Sequence, residues 1–278
     1  MILEKVIKQA SKTLKNHNIY SHELDAQLIL SDIMNVKRES LITNNEVVIS
    51  EKIMEKYDIA IRRRIKREPV AYITGKKEFW SENFTVNHAT LVPRPETELL
   101  IYKIINFFKG KTINILDIGT GSGCILLSIL KELNSSRGIG IDISAKAIQI
   151  AKINSKNLNL INRSKFKVFD LSKFNIGKYD LIVSNPPYIP SKDIKNLSKD
   201  ITNYEPKATL DGGLDGLDLI KKVIYKSSHL LKRNGLLAIE IGFNQYKRVS
   251  SILRHYRFKE ISKEYDYNRN VRCIISTK

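Results

Sequence analysis

Closely spaced cysteines and long apolar runs are both lacking from this sequence. Its 278 residues include only two cysteines, Cys124 and Cys273, which lie far apart. This excludes a disulfide framework and a cysteine-rich zinc site, so we expect two small core thiols and no metal. No apolar run approaches the roughly 18 to 20 residues that a membrane-spanning helix needs. Lysines and Glu4 also interrupt the N-terminal segment where a secretory signal would need apolar residues, so we expect a cytoplasmic protein that does not contact membranes.

Acidic residues are outnumbered by basic ones. The chain has 47 Lys and Arg against 29 Asp and Glu, which gives a formal net charge of +18 at pH 7. Such an excess attracts polyanions, although scattered lysines mostly keep a surface solvated. The densest basic run contains Arg62, Arg63, Arg64, Lys66 and Arg67. It lies at the end of a predicted helix, where basic side chains complement the helix dipole. We interpret the run as a solvated face, with contact to RNA as the alternative.

Glycine is lacking from the N-terminal part of the chain, since none precedes Gly75. Apolar residues in this stretch recur at intervals of three and four, which predicts helices through 3–14 and around 24–29, and a third helix that starts after Ser50 and carries an apolar stripe from Ile53 to Ile65. Pro69 marks the end of the third helix. We therefore predict a small helical domain over residues 1–71, which presents a surface instead of housing chemistry.

The spacing of apolar residues changes twice along the remaining sequence. Residues 72–93 show a period of two around polar turn residues, which predicts a β-hairpin that links two domains. From residue 94 to residue 278 the predicted strands lie at 113–117, 138–142, 165–169, 179–184, 235–241, 257–263 and 271–276, and the predicted helices at 97–109, 122–133, 145–157, 216–232 and 244–254. This alternation is typical of an α/β domain with a mostly parallel, doubly wound sheet of seven strands, which is Rossmann-like.

A glycine-rich turn follows the first predicted strand of the α/β domain. Residues 113–124 read INILDIGTGSGC, with Gly119, Gly121 and Gly123 where the next helix begins. Glycines there allow a sharp turn and a close approach of a ligand to the backbone. The N-terminus of the helix then offers free N–H groups to a polar or anionic ligand. Taken alone the turn is a weak signal, because many doubly wound folds carry one.

Asp142 ends the next predicted strand, where a carboxylate can accept hydrogen bonds from both ribose hydroxyls of an adenosine cofactor. The spacing G-x-G-x-G differs from the G-x-G-x-x-G that dinucleotide enzymes favour, which disfavours a nicotinamide cofactor. The pattern resembles the glycine-rich motif of S-adenosylmethionine-dependent methyltransferases. That resemblance implies that Asp142 holds the ribose and that Asp170 and Leu171 contact the adenine. For Asp170 a simple turn or helix-capping role is the alternative.

The segment Asn185-Pro186-Pro187-Tyr188 follows the strand predicted at 179–184. Ligands of open parallel sheets bind beyond the carboxyl ends of strands, so this segment is expected beside the glycine turn. Asn185 carries a side-chain carbonyl, and Pro186, with its locked φ and no N–H, displays its backbone carbonyl rigidly. Two such acceptors match the two hydrogens of a planar NH2 group, and Tyr188 can stack on the plane that bears it. The predicted reaction is methyl transfer to such a nitrogen.

This tetrapeptide does not choose the substrate by itself. Asn-Pro-Pro-Tyr is shared by enzymes that methylate adenine in DNA, guanine in ribosomal RNA and glutamine side chains in protein, which all present the same NH2 edge. The choice depends on the flanking sequence. Upstream lie REPVAYITG at 67–75 and LVPRPETE at 91–98, and downstream lie Glu205-Pro206 and DGGLDGL at 211–217.

This ensemble closely resembles the bacterial peptide-chain release factor glutamine methyltransferase family, over essentially the whole chain. The resemblance implies transfer of a methyl group from S-adenosylmethionine, with S-adenosylhomocysteine as product, to the glutamine of the Gly-Gly-Gln loop in class 1 release factors. It also implies that the helical domain docks the release factor, with a domain kept only for stability as the alternative. A monomer is expected, and contact with nucleic acid is possible but not required. Two departures are visible, Ile220 where the family often has Tyr and Thr209 where it often has Ala. Both are expected outside the pocket.

The resemblance also implies a set of site residues. The glutamine pocket is implied for Asn185, Pro186, Pro187 and Tyr188, and the cofactor site for Gly119, Thr120, Gly121, Ser122, Gly123, Asp142, Asp170, Leu171 and Asn185. Arg94, Glu96 and Thr97 would lie at the border between the glutamine pocket and the cofactor site. For Arg94 and Glu96 a paired cap at the start of the helix predicted at 97–109 is the alternative.

Two other functions compete with this one. The net charge of +18 favours an amino-methyltransferase acting on adenine or guanine in DNA or RNA, but the chain has no segment large enough for a DNA target-recognition domain. A non-enzymatic RNA-binding protein that keeps a cofactor fold is the second alternative. The intact glycine turn, Asp142 and Asn185 argue against it.

Overall fold

The computed structural model describes residues 1–43 and 47–278. The helices are α1 (Leu3–Asn16), α2 (His22–Met34), α3 (Arg38–Thr43), α4 (Glu51–Ile65), α5 (Val70–Thr74), α6 (Thr97–Phe108), α7 (Cys124–Glu132), α8 (Ala145–Asn157), α9 (Lys199–Thr202), α10 (Asp218–Leu230) and α11 (Tyr246–His255). The strands are β1 (Lys76–Phe79), β2 (Glu82–Thr85), β3 (Asn114–Ile118), β4 (Arg137–Asp142), β5 (Ser164–Val168), β6 (Tyr179–Ser184), β7 (Leu231–Glu240), β8 (Lys259–Tyr265) and β9 (Val271–Thr277).

The chain folds into two compact units. The helical unit comprises Met1–Lys76 and Ser198–Tyr204, and the sheet unit comprises Lys77–Leu197 and Glu205–Lys278. No local pattern in the sequence indicates that Ser198–Tyr204 folds with the N-terminal helices. The assignment of residues 1–71, 72–93 and 94–278 to docking domain, linker and catalytic domain stays a prediction.

The helical unit is held together by one apolar core and one buried ionic cluster. The predicted stripe of α1 is buried through Leu3, Val6, Ala10 and Leu14, because side chains three and four positions apart share one face of a helix. The Tyr57 hydroxyl of α4 donates to the Ala26 carbonyl of α2 at 2.9 Å. These contacts confirm the predicted helices.

Arg64 shows that the basic run is partly structural. Its side chain is only 6% exposed, and its guanidinium contacts Asp25 at 2.7 Å and Asp200 at 2.8 Å. Arg63 makes a two-pronged contact with Glu68 at 2.6 and 2.8 Å. Arg67 donates to two backbone carbonyls after α1. The interpretation of the run as a solvated face is therefore wrong for Arg64, which balances two carboxylates instead.

The sheet unit contains a seven-stranded sheet in the order β5-β4-β3-β6-β7-β9-β8. The first five strands in this order are parallel, and β9 pairs antiparallel with both β7 and β8. The chain builds outward from β3 through β4 to β5 and then returns to place β6 on the other side of β3. Ligands bind at such a reversal, beyond the carboxyl ends of the strands. The predicted α/β class, helical N-terminal domain and seven-stranded sheet are confirmed.

Alternation along each strand sends successive side chains to opposite faces of the sheet. In β3, Ile115 packs in the core beneath α6, α7 and α8, whereas Leu116 packs in the core with α10 and α11. Leu181 and Ile182 of β6 divide in the same way. Both faces of the central strands are therefore buried, which explains why their sequences are continuous apolar runs.

The hairpin is shorter than predicted. Its strands are β1 and β2, while Tyr72 belongs to α5 and no strand follows Thr85 in the described residues up to 93. The prediction of period-two structure over all of 72–93 is thus wrong at both ends. Phe79 and Phe84 meet edge to face, with ring centroids 6.0 Å apart, in the core that also contains α6 and α7. These rings bury the hairpin's apolar side within the sheet unit.

No helix within the described residues is long and apolar enough to cross a membrane.

Candidate active site

A cavity of about 690 Å³ lies beyond the carboxyl ends of β3, β4 and β6. Its walls include most of the residues predicted from the sequence, namely Arg94, Thr97, Gly119, Thr120, Gly121, Ser122, Asp142, Asp170, Leu171, Asn185 and Pro187. Four other predicted residues, Glu96, Gly123, Pro186 and Tyr188, are not among its lining residues. The glycine turn and the Asn185 segment thus share one cavity, as the topology predicts.

The three glycines of the turn have different physical roles. All have positive φ, between 55° and 80°. A Cβ on Gly119 or Gly121 would meet no atom within 4 Å, so these positions leave open space beside the backbone. A Cβ on Gly123 would instead lie 3.1 to 3.2 Å from Phe166, Ala151 and Leu127. Gly119 and Gly121 therefore leave the cavity open beside the turn, whereas Gly123 allows α7 to pack closely.

Asp117 lies beneath the turn and supports it. The Thr120 hydroxyl donates to Asp117 Oδ2 at 2.6 Å, and the N–H groups of Gly119 and Thr120 both donate to the Ile141 carbonyl. Burial raises the pKa of Asp117 to about 7, and the nearby charge of Asp142 acts in the same direction. This carboxyl group therefore stabilises the turn through its hydrogen bond with Thr120 and does not line the cavity.

Asp142 ends β4 beside the glycine turn, and its ribose-binding role stays a prediction. Its Oδ2 accepts from the Gly121 N–H at 3.0 Å, and its Oδ1 accepts from the Ser144 N–H at 2.9 Å. These bonds point the carboxylate along the wall between β3 and β4. Because a carboxylate offers about four lone-pair directions, each oxygen keeps capacity for a ligand hydroxyl.

The far wall combines one turn carboxylate with apolar side chains. Asp170 Oδ1 accepts from the Ser172 N–H at 2.8 Å, which caps a 3-10 turn and holds the pKa of Asp170 below its ordinary value. Asp170 thus does have the alternative turn role, yet it also lines the cavity beside Leu171. Sequence reasoning missed Ile143, an isoleucine 73% exposed on this wall. The signal was available, since an apolar residue directly follows the strand-ending Asp142.

Asn185 is tied into a chain of side-chain hydrogen bonds. Its Nδ2 donates to Thr97 Oγ1 at 3.2 Å, and the Thr97 hydroxyl donates to Glu240 Oε2 at 2.6 Å. Glu240 is 1% exposed, and its burial raises the pKa of its carboxyl group. Sequence reasoning missed Glu240. A single carboxylate within the otherwise apolar run 236–241 is the signal that indicates it.

Tyr188 is anchored on the far side of Glu240. Its hydroxyl donates to Glu240 Oε1 at 3.3 Å and accepts from Arg272 at 2.9 Å, while the Arg272 guanidinium lies 5.3 Å from the centre of the tyrosine ring. Burial and the Glu240 charge raise the pKa of Tyr188. The stacking of Tyr188 on a substrate stays a prediction. In this structure the ring braces the segment that carries Asn185.

Arg94 does not form the paired cap with Glu96. Its guanidinium contacts Glu205 Oε1 at 2.5 Å, with the Glu205 side chain almost fully buried. Burial raises the pKa of Glu205, and the Arg94 charge lowers it. Glu96 precedes α6 and makes no capping bond with its side chain. The cap interpretation is therefore wrong, and Arg94 instead joins the cavity wall to the buried Glu205.

The loop at 211–217 packs against the backbone of the Asn185 segment. A Cβ on Gly216 would lie 2.3 Å from the Tyr188 carbonyl oxygen, so only glycine fits there. Gln245 donates to the same carbonyl at 2.8 Å and to that of Gly216 at 3.1 Å. Ile189 also exchanges backbone hydrogen bonds with Leu210 and Gly212. These contacts hold Tyr188 and its neighbours in one backbone conformation.

Two minor expectations are corrected. Thr209 lines the cavity, although it was expected outside the pocket, whereas Ile220 lies fully buried in the core, as expected. Cys273 is a core residue, but Cys124 is only partly buried and lines the cavity. Burial raises the pKa of the Cys124 thiol to about 12, so this thiol is protonated at neutral pH. Within residues 1–43 and 47–278 no group of His, Cys, Asp and Glu is arranged to hold a metal ion.

Comparison with solved structures shows the fold. A methyltransferase from Pyrococcus furiosus superposes with a TM-score of 0.54 at 16% identity, covering 70% of this chain and 88% of that one. The 16S rRNA N2 G1207 methyltransferase of T. thermophilus, solved with AdoMet and guanosine, gives a TM-score of 0.52 at 12% identity, over 73% of this chain and 49% of that one.

Comparison with protein families and relatives goes further. Residues 5–75 match the family described as PrmC N-terminal domain, and residues 109–275 match a methyltransferase domain. The release factor glutamine methyltransferase of Clostridium acetobutylicum is 36% identical over 100% of this chain and 99% of its own length. That of Buchnera aphidicola subsp. Schizaphis graminum is 40% identical over 98% of each chain. With such relatives along its whole length, the chain belongs to the release factor glutamine methyltransferase family.

Proposed function

We propose that the protein transfers a methyl group from S-adenosylmethionine to the side-chain amide nitrogen of the Gly-Gly-Gln glutamine in class 1 peptide-chain release factors. The observation that carries this proposal is the shared cavity, in which Asn185 lies with the glycine turn Gly119–Gly121. The names of the full-length relatives supply the substrate.

The cavity suits S-adenosylmethionine, which supplies a methyl group on a positively charged sulfur and leaves as S-adenosylhomocysteine. The open space at Gly119 and Gly121 lets a ligand lie against the turn. Asp142 is placed to accept hydrogen bonds from ribose hydroxyls. Ile143 and Leu171 line the adjoining wall and offer apolar surface to the adenine. We also assign Thr120, Ser122 and Asp170 to this site.

Asn185 and Pro186 would hold the substrate glutamine. An amide nitrogen is a poor nucleophile because its lone pair is delocalised into the carbonyl group. Acceptors placed at its two hydrogens return electron density to nitrogen and stabilise the positive charge that develops during attack. They also align the nitrogen with the methyl carbon, and positioning of this kind can lower a barrier by up to about 7 to 11 kcal/mol. The proton then leaves to solvent, so no strong base is required before the methyl group moves.

The partner is a release factor, and the N-terminal helices are proposed to dock it. We expect a cytoplasmic monomer that needs neither nucleic acid nor a metal ion. We keep contact with RNA as the alternative role of Arg62, which is exposed at the end of α4, whereas Arg64 is buried in intramolecular ion pairs.

The decisive experiment measures transfer of radiolabelled methyl from S-adenosylmethionine to purified, unmodified release factor. The matched control is the same release factor with its loop glutamine changed to alanine, and DNA and RNA are tested beside them. Label on the unmodified factor alone supports the proposal. Label on nucleic acid but not on protein would assign the cavity to a nucleic-acid amino-methyltransferase instead.

A further inference from the structure

Thr97 stands between the substrate-facing amide and a buried carboxylate. Its hydroxyl contacts Asn185 Nδ2 at 3.2 Å on one side and Glu240 Oε2 at 2.6 Å on the other. Thr97 is 2% exposed and opens α6, whereas its two partners follow β6 and end β7. Three separate elements of the sheet unit thus meet at one hydroxyl group on the cavity wall.

The direction of the hydrogen bonds follows from the chemistry of the partners. Glu240 accepts at both oxygens, from the Thr97 hydroxyl at Oε2 and from the Tyr188 hydroxyl at Oε1, so the single proton of the Thr97 hydroxyl points to Glu240. The Thr97 oxygen then has only lone pairs left for Asn185. The amide of Asn185 must present its NH2 group to Thr97, which turns its carbonyl oxygen the other way.

This direction matters because the two ends of an asparagine side chain have nearly the same shape and opposite polarity. With Oδ1 towards the substrate, Asn185 accepts a hydrogen bond from the NH2 group of glutamine. With the amide reversed, two NH2 groups would face each other and neither could accept. A half-turn of the amide would therefore remove the acceptor that the transfer requires.

We infer that Thr97 is a positioning residue which, anchored by Glu240, fixes the orientation of the Asn185 amide and so presents its carbonyl oxygen to the substrate NH2 group. This inference rests on the proposed function. It extends that function to residues that do not touch the reacting atoms, since Glu240 acts through Thr97 and Thr97 through Asn185.

The surroundings of Glu240 keep the direction fixed. Its other oxygen, Oε1, accepts from the Tyr188 hydroxyl, and Arg272 bonds that hydroxyl in turn. Burial raises the pKa of Glu240, whereas the Thr97 hydrogen bond, the positive charge of Arg272 and the Tyr188 hydrogen bond act in the opposite direction. Tyr188 and Arg272 thus help Glu240 to remain an acceptor towards Thr97.

The test replaces the Thr97 hydroxyl while keeping its shape. Thr97→Val substitutes a methyl group for the hydroxyl, and Thr97→Ser keeps the hydroxyl and removes the methyl group. We expect Thr97→Val to lower kcat by about 10- to 100-fold at saturating release factor and S-adenosylmethionine, because misplacement of a reacting group by about 1 Å can cost 10²-fold. Thr97→Ser should retain most of the wild-type kcat. Calorimetric Kd for S-adenosylmethionine should stay within about threefold in both variants, less than the tenfold that 1.4 kcal/mol represents.

Thr120→Val provides the contrasting variant. Thr120 also donates to a buried carboxylate from this cavity wall, to Asp117 at 2.6 Å, but it supports the glycine turn. We expect its loss to raise the Kd for S-adenosylmethionine and to leave the kcat at saturation less affected than Thr97→Val does. Loss of the hydroxyl group is therefore expected to lower kcat mainly at Thr97 and to weaken cofactor binding mainly at Thr120.

The outcomes separate this inference from the proposed function. Labelling of release factor by the wild type, with kcat unchanged in Thr97→Val, overturns the inference alone. Equal losses in Thr97→Val and Thr97→Ser, accompanied by weaker cofactor binding or lower thermal stability, would show a merely structural threonine and also overturn it. If the wild type fails to label release factor at all, the proposed function falls and the inference falls with it.

Discussion

Asn185 is the residue on which the proposed methyl transfer depends most directly. Its side chain lies on the cavity wall and is expected to act mainly as charge develops on the substrate nitrogen. We predict that Asn185→Ala lowers kcat by about 10²-fold, similar to the loss of one group that stabilises transition-state charge elsewhere. Most of the affinity for S-adenosylmethionine should remain. Steady-state kinetics and a calorimetric titration check both parts, and turnover above about a tenth of wild type would remove Asn185 from this role.

Also at the residue scale, titration of Asp117 makes the free energy of unfolding depend on pH. Its pKa is raised from 3.8 to about 7 by burial, so between these values the folded protein holds a proton that the unfolded chain releases. The free energy of unfolding therefore falls as pH rises through this window, and by linkage the loss is about 4 kcal/mol at most. The variant Asp117→Asn has no carboxyl group at this position and therefore lacks this pH dependence.

Urea unfolding of Asp117→Asn and wild type between pH 4 and pH 8 tests this prediction. The variant should gain stability relative to wild type as pH rises to about 7, with a constant difference above that value. Other buried acids, such as Glu240, occur in both proteins and cancel in the difference. A difference that does not change with pH would mean that Asp117 titrates normally.

At the scale of elements, the segment Ser198–Tyr204 is fastened to the N-terminal helices through α4. Arg64 of α4 contacts Asp25 of α2 and Asp200 of α9, and the Tyr204 hydroxyl donates to the Lys66 carbonyl at 2.8 Å. Removal of one partner from a buried ion pair leaves an uncompensated charge, which typically costs about 3 to 5 kcal/mol. We predict a destabilisation of this size for Arg64→Met.

Arg62→Met is the matched control, because Arg62 is exposed on the same helix and bonds only its own turn, through the Asp58 carbonyl at 3.4 Å, among the contacts of the described residues. Exposed substitutions of this kind usually change stability by less than about 0.5 kcal/mol. Chemical denaturation measures both variants, and hydrogen exchange should also speed up at Ser198–Tyr204 in Arg64→Met. Equal stability of the two variants would contradict a structural role for the buried arginine.

At the scale of the whole molecule, we expect ligand binding in the cavity to raise the free energy of unfolding. The cavity lies entirely within the sheet unit, and a ligand that binds only the folded state at 100 times its Kd adds about 2.7 kcal/mol. For a unit of this size the midpoint should rise by roughly 5 to 10 °C. Differential scanning calorimetry in S-adenosylmethionine or S-adenosylhomocysteine tests this rise. Asp142→Ala should show a smaller rise at the same ligand concentration, and an equal rise would remove Asp142 from the ribose site.

Local sequence patterns were sufficient for the long helices and for the strands of the seven-stranded sheet, but not for the extent of the hairpin or for the short helices α3, α5 and α9. The spacing of Leu3, Val6, Ala10 and Leu14 predicted α1 because a helix repeats its faces every 3.6 residues. The alternation of strands and helices predicted the parallel sheet, and that topology brought the glycine turn and Asn185 to one edge. Asp142 and Asn185 could be found because each directly ends or follows a strand.

The partners of these residues depended on the tertiary structure alone. Thr97 and Glu240 are 143 positions apart, and Thr97 and Asn185 are 88 positions apart. Periodicity and capping patterns carry information over a few turns of chain, so no local signal pairs such residues. The same holds for Arg94 with Glu205 and for Arg64 with Asp200. The sequence by itself determined which chemistry gathers at the edge of the sheet, and the packing of distant elements decided which side chains hold it in place.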